Sequence, residues 1–160
     1  ARSQTGRIGV IGTSATIRST VYDRSITSLA PGFRVFSQAC PLLVPLVEEG
    51  WVNKRETKMI LRRYLHPFKD KQIDTLVLGC PHYPLLKDLI QPRIGKRVGL
   101  VDSSIETARY LQTFLAENPG LVRANGDLPA THTYYVTDLT DSVQQVAARI
   151  FNRPMELELV

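Results

Sequence analysis

Short apolar runs alternate along this chain with longer stretches of helical period. Residues 7–12 (Arg-Ile-Gly-Val-Ile-Gly) form an apolar run that closes on glycine, the pattern of a buried parallel strand. Residues 33–36, 74–79 and 98–101 repeat that pattern as further short strands. Between them, residues 17–25 fit a helix, and Ala30-Pro31-Gly32 breaks the chain. Residues 39–50 contain Pro41, Pro45 and Gly50, which predicts an ordered loop with one helical turn. Residues 54–65 have the spacing of an amphipathic helix, and a second helix is expected over 85–90. Ser103 and Glu106 have capping-box spacing and open a helix to Glu117, which Asn118-Pro119-Gly120 ends. A polar loop over 121–131, a strand over 132–137, a helix capped by Asp141 or Ser142 and an edge strand over 155–160 complete the pattern.

Strands alternating with helices predict an α/β fold: a parallel-sheet lobe with flanking helices. In such sheets ligands bind beyond the carboxyl ends of strands. Three places fit: the turn after Gly12, the loop after Ser37 and the turn after Gly79.

Composition narrows the function classes. An apolar content of 43% over 160 residues is enough for a core, and no apolar run approaches a membrane span. The start, Ala1 to Arg7, has no apolar signal region and reads as the end of a helix closing on Gly6, entered partway through. The formal charge of +5 gathers locally at Lys54, Arg55, Lys58, Arg62 and Arg63, on a helix whose other face is apolar. That cluster reads as a solvated helix face rather than a nucleic-acid patch, because no aromatic-rich basic motif accompanies it. Two cysteines, Cys40 and Cys80, make no disulfide framework, which sets free thiols and a reducing cytoplasm as the default. His66, His82 and His132 have no zinc spacing with them, so no metal is expected.

Cys80 is the sharpest candidate for chemistry. It follows an apolar strand and Gly79, whose missing side chain allows a tight turn. A thiol near the start of the next helix would have its pKa lowered by the dipole. His82, two residues on, could exchange a proton with it. The alternative is a small buried residue capping a strand, with His82 a satisfied neighbour. Glu48, in a loop of constrained geometry, could bind a histidine or a substrate ammonium, or could be a surface acid beside Glu49. Thr13, Ser14 and Thr16 stand where a helix begins, so they serve equally as an anion site or as plain N-caps. Cys40, before a proline in an apolar stretch, reads as a buried structural thiol, and Asp102, Ser103 and Ser104 read as helix capping. No dinucleotide fingerprint or P-loop occurs.

Several segments, in order, resemble the glutamate racemase family. They are residues 6–17 (with Gly12-Thr13 and Ala15-Thr16-Ile17), Ala39-Cys40-Pro41 through Val44-Pro45-Leu46-Val47-Glu48, Leu78-Gly79-Cys80-Pro81-His82-Tyr83-Pro84-Leu85, and Val101-Asp102-Ser103. The resemblance implies a two-lobed, cofactor-independent enzyme that inverts glutamate at Cα with one cysteine from each lobe, supplying D-glutamate for peptidoglycan. It casts Cys80 as one acid/base, His82 and Glu48 as its supports, and Thr13 and Thr16 as substrate contacts. Residues 1–97 would be the second lobe and 98–160 the segment returning to the first. The family has threonine at the substrate contact after this cysteine; here Pro81 lacks both its hydroxyl and its N–H. The first-lobe cysteine signature is absent and Cys40 does not match it, so the chain by itself is expected to be inactive and to need the first lobe as partner. The resemblance also allows a homodimer, a related racemase of aspartate or hydantoin type, or a non-catalytic role as a modulator of DNA gyrase.

Overall fold

The computed structural model describes residues 3–121 and 132–160, so the loop expected over 121–131 lies almost wholly outside the described residues. Two compact units divide after Thr107.

The first unit is built on a four-stranded parallel sheet in the order β2-β1-β3-β4, with β1 Arg7–Gly12, β2 Arg34–Ala39, β3 Thr75–Leu78 and β4 Gly99–Asp102. The expected strands are all present. β2 runs further than its apolar stretch suggested, because parallel pairing with β1 carries its register on to Gly12↔Ala39. The sequence boundary after Arg97 falls within this unit, because β4 pairs with β3 from Thr75↔Gly99 to Leu78↔Asp102.

The helices differ from their expected bounds for local reasons. The single helix expected over 17–25 is two, α1 Ser14–Arg18 and α2 Val21–Leu29, because Thr20 takes a left-handed conformation between them. The loop over 39–50 contains a true helix, α3 Leu43–Glu48, whose Leu43 and Val47 are both buried one turn apart. α4 Arg55–Lys71 continues through Pro67 because Phe68 extends the buried stripe of Thr57, Leu61 and Leu65. Each large apolar side chain of that stripe stabilises the fold by about 1.5–3 kcal/mol. A 3-10 turn, Tyr83–Leu86, precedes α5 Lys87–Ile94, which accommodates Pro92 because Ile94 repeats the buried position of Ile90. The core gathers Ile11, Leu61, Leu65, Leu76, Leu78 and Ile90 between the sheet and these helices.

At the start, residues 3–6 are a bend rather than a helix end, and Asp74 holds it. The Asp74 carboxylate accepts from Ser3 Oγ at 2.7 Å, Gln4 N at 2.7 Å and Thr5 N at 2.6 Å. Burial opposes its charge, but these hydrogen bonds win and hold the carboxyl well below the usual range.

α6 spans Ser103–Glu117. Its cap is Asp102, not Ser103: the Asp102 carboxylate accepts from Ser104 N at 2.9 Å, Ser104 Oγ at 2.6 Å and Ile105 N at 3.4 Å. The second unit contains a short parallel pair, β5 Tyr135–Val136 and β6 Glu158–Leu159, and α7 Asp141–Phe151. Thr140, rather than Asp141 or Ser142, caps α7 through Val143 N. Tyr134 meets Phe151 edge-on, with centroids 4.9 Å apart. Among the described residues after Asp102, none is buried. No helix among the described residues is long and apolar enough to cross a membrane.

Two glycines contrast a close-packed position in the first unit with an open one in the second. A Cβ on Gly79 would stand 2.8 Å from the Ile11 carbonyl oxygen, a backbone atom that cannot swing aside, whereas one on Gly120 would meet nothing within 4 Å. Gly79→Ala is therefore expected to destabilise the chain by about 1–3 kcal/mol, and Gly120→Ala to change it by less than about 0.5 kcal/mol. Urea unfolding of both variants checks this; equal midpoints would contradict the close approach.

Candidate active site

The parallel register brings the carboxyl ends of β1, β2 and β3 to one edge of the sheet. Thr13 follows β1, Cys40 follows β2, and Gly79-Cys80 follow β3. Backbone bonds tie these ends together: Gly79 N donates to the Ile11 carbonyl at 2.8 Å and Cys40 N to the Gly12 carbonyl at 2.8 Å. Each of the three places expected from sequence therefore lies on the same rim.

Cys80, His82 and Glu48 form one chain of contacts. Cys80 Sγ lies 3.8 Å from His82 Nδ1, and His82 Nε2 lies 3.0 Å from Glu48 Oε1. Glu48 reaches the site because it is the last residue of α3, which extends the single helical turn expected in this loop. A carboxylate beside Nε2 favours the tautomer in which Nε2–H donates to Glu48. Nδ1 is then an acceptor facing the thiol, so the three side chains are wired to pass a proton between sulfur and imidazole.

The thiol is buried, with 5% of its residue surface exposed. The expectation of a lowered thiol pKa is overturned. Burial pushes Cys80 up, and the backbone N–H groups of His82 and Tyr83, which pull it down, do not compensate; the Glu48 charge adds to the upward push. Cys80 is thus a protonated thiol at neutral pH. Pro81, exposed between Cys80 and His82, removes a donor without removing these two.

Thr13 and Thr16 are joined, with their hydroxyl oxygens 2.9 Å apart, and Thr16 N donates to Thr13 Oγ1 at 3.2 Å. Thr13 thereby caps α1, as the capping reading required, and Thr16 remains half-exposed on the first turn. Ser14 is half-buried on the same turn. Cys40 is fully buried, and its thiol is pushed up to about 12 by burial, which matches a structural thiol. Asp102 pairs with Lys87 and caps α6, again a structural role.

Sequence reasoning missed Tyr83. It is fully buried, its hydroxyl donates to the Cys40 carbonyl at 3.0 Å, and its backbone N donates to the Cys80 carbonyl at 3.1 Å. It locks the loop after β2 to the turn after β3. Its signal was slight: an aromatic beside His82 in a polar turn, where burial is not expected. Among the described residues, no group of three or more histidine, cysteine or acidic side chains is placed to hold a metal ion.

Residues 1–111 match the family described as Asp/Glu/Hydantoin racemase. The chain belongs to that family. It is similar to the glutamate racemase of Syntrophus aciditrophicus, 45% identical over 97% of this chain and 57% of that protein. It is 42% identical to the glutamate racemase of Neisseria meningitidis, over all of this chain and 58% of that protein. Among solved structures it resembles glutamate racemase RacE1 of Bacillus anthracis, with TM-score 0.89 and 33% identity over 99% of this chain and 58% of that one. It also resembles the Francisella tularensis glutamate racemase solved with D-glutamate, with TM-score 0.88 and 35% identity over 97% of this chain and 57% of that one. The chain thus spans a little under three-fifths of the length of these racemases.

Within this racemase-family chain the two thiols should be chemically distinct. Iodoacetamide labelling followed by peptide mapping is expected to modify Cys80 increasingly as pH rises past the ordinary thiol value of 9.0, while Cys40 stays unmodified until about 12. The sign follows from burial, which disfavours each thiolate and so moves each titration upward. Rapid labelling of Cys80 with a midpoint near pH 7 would contradict it.

Proposed function

We propose that this chain forms the second lobe, and the segment returning to the first lobe, of a racemase that interconverts L- and D-glutamate by cofactor-independent proton transfer at Cα. The reading rests on the contact chain from Cys80 through His82 to Glu48, set on the rim where Thr13 and Thr16 also lie.

In this reading Cys80 serves one face of Cα. As an acid it gives its S–H proton to the planar, carbanion-like carbon and becomes a thiolate. As a base it takes the α-proton from the other enantiomer. The α-proton of an amino acid is weakly acidic, so a base must be placed against it and the developing charge must be met by fixed donors. The N–H groups of His82 and Tyr83 meet the charge on sulfur, and His82, oriented by Glu48, stores or returns the proton. Thr13 and Thr16 offer hydroxyls, and Thr16 lies at the start of α1, for hydrogen bonds to the substrate. Pro81 stands among these contacts and would shape the site without donating to the substrate.

Inversion needs a second thiol on the opposite face. Cys40 is buried and bonded into the loop after β2, so the second thiol would come from a first-lobe segment outside these 160 residues. The exposed apolar side chains of α6, Tyr110, Leu111 and Phe114, suit a surface that such a lobe would cover. Glutamate as substrate is supported by similarity to proteins named glutamate racemase, one of them solved with D-glutamate. In this reading the enzyme is cytoplasmic and delivers D-glutamate to peptidoglycan. The family's description also covers aspartate and hydantoin, and competition between both enantiomers of each acid separates these substrates.

Chiral chromatography of glutamate incubated with the chain alone is expected to show no racemisation. Adding the first lobe of a full-length relative should restore it, and Cys80→Ser should then lower the rate by roughly 10²–10⁴. Cys80-dependent racemisation by the chain alone would overturn the two-lobe requirement. Restored activity indifferent to Cys80 would overturn the assignment of the thiol.

A further inference from the structure

Tyr22 lies on the same rim, and the proposed reaction does not yet use it. It is the second residue of α2, and its ring packs on Gly79. A Cβ at position 79 would meet Tyr22 Cε2 at 3.0 Å and Tyr22 Cζ at 3.4 Å. These atoms belong to the phenol end of the ring, so the hydroxyl is carried to the strand end that Cys80 follows. Two features hold α2 there. Thr20, its N-cap, has φ 53° and ψ 16°, a left-handed conformation that is strained for a β-branched residue. Asp23, next to Tyr22, accepts from Ser37 Oγ of β2 at 2.8 Å and ties the first turn of α2 to the sheet.

The Tyr22 hydroxyl is uncommitted. The residue is half-buried, and among the described residues it has no side-chain hydrogen bond. No buried side-chain oxygen among them goes unpaired, so water reaches this one. Tyr83 is the contrast: it is fully buried, and its hydroxyl is spent on the Cys40 carbonyl. A ring that merely filled the space over Gly79 would need no hydroxyl, and phenylalanine would serve. A packed ring with an open O–H instead presents a hydrogen-bond donor at a fixed place.

We propose that Tyr22 is a further substrate contact, whose hydroxyl donates to the α-carboxylate of the amino acid that Cys80 addresses. This inference rests on the racemase reading. The α-carboxylate is bonded to the carbon that Cys80 must reach, and the phenol stands at the residue before Cys80. The side-chain carboxylate of glutamate lies beyond two methylene groups and so farther from that point. As the α-proton leaves, negative charge spreads into the α-carboxylate, and a donor already in place meets it. Thr13 and Thr16 at the end of β1 and Tyr22 over the end of β3 would then hold the substrate from two sides of the rim.

Tyrosine carrying 13C at Cζ reports on the hydroxyl by NMR, and the one of six signals lost in Tyr22→Phe is that of Tyr22. Adding D- or L-glutamate to the chain is expected to move the Tyr22 signal saturably. Glutamine, which keeps the α-carboxylate, should move it as well; isoglutamine, whose α-carboxyl is an amide, should not. In the chain complemented by a first lobe, Tyr22→Phe should raise KM and lower kcat/KM by roughly tenfold or more. Thermal unfolding should not change, because the ring stays on Gly79. An unmoved Tyr22 signal, an equal response to isoglutamine, or unaltered kinetics of Tyr22→Phe would overturn the inference. The proposed reaction fails differently, through racemisation indifferent to Cys80→Ser, whereas the Tyr22 signal is read without turnover.

Discussion

The candidate site depends on how closely two backbones approach. β1 and β3 lie side by side, and at their carboxyl ends Gly79 N meets the Ile11 carbonyl while its missing side chain leaves room for that same oxygen. A side chain at position 79 would push β3 outward, and with it the turn that carries Cys80 and His82. On the other side of β1, Cys40 N bonds to Gly12, so the loop leading to α3 is fixed to the same strand end. Glu48 arrives at His82 from that loop. Tyr83 then bridges the two turns from inside. Three sequence-distant segments thus meet because the parallel sheet ends them on one rim and small or backbone groups let them touch.

The same closeness shapes the electrostatics. Packing that excludes water from Cys80 raises its thiol, and the N–H groups at the following turn only partly offset this. A thiol held protonated is a competent acid; to act as a base it must first lose its proton to a neighbour, and His82 is the neighbour supplied. Glu48 has two opposing effects. Its charge discourages a thiolate, yet its carboxylate holds the imidazole that, in the proposed reaction, would receive the proton. The arrangement fits a group that must pass between protonated and ionised forms during each turnover more closely than it fits a permanently ionised nucleophile.

Much of this was legible in the sequence because buried parallel strands write themselves as apolar runs. β1, β3 and β4 fall where those runs fall, and Gly79 before Cys80 marked the close approach. Helix bounds were less legible, because tertiary burial overrides local breakers. Phe68 draws α4 through Pro67, Ile94 draws α5 through Pro92, and Leu43 with Val47 turns a proline-bearing loop into α3. The direction of the Cys80 shift was misread for a related reason: a dipole can be inferred from residue order, whereas desolvation depends on what packs around the sulfur. Tyr83 was missed because its partner, the Cys40 carbonyl, lies forty-three residues away.

The described residues beyond Asp102 present the opposite character, since none is buried and apolar side chains such as Tyr110 and Phe114 stand exposed. That contrast agrees with a chain spanning under three-fifths of its relatives' length. In the proposed reaction Cys80 carries the proton on one face of Cα. This role is tested most directly by following α-proton exchange of L- and D-glutamate separately in D2O by NMR, with the chain joined to a complementary first lobe and carrying Cys80 or Cys80→Ser. The substitution should abolish exchange of one enantiomer while the other still exchanges through the opposing thiol. Unchanged exchange of both enantiomers would contradict it.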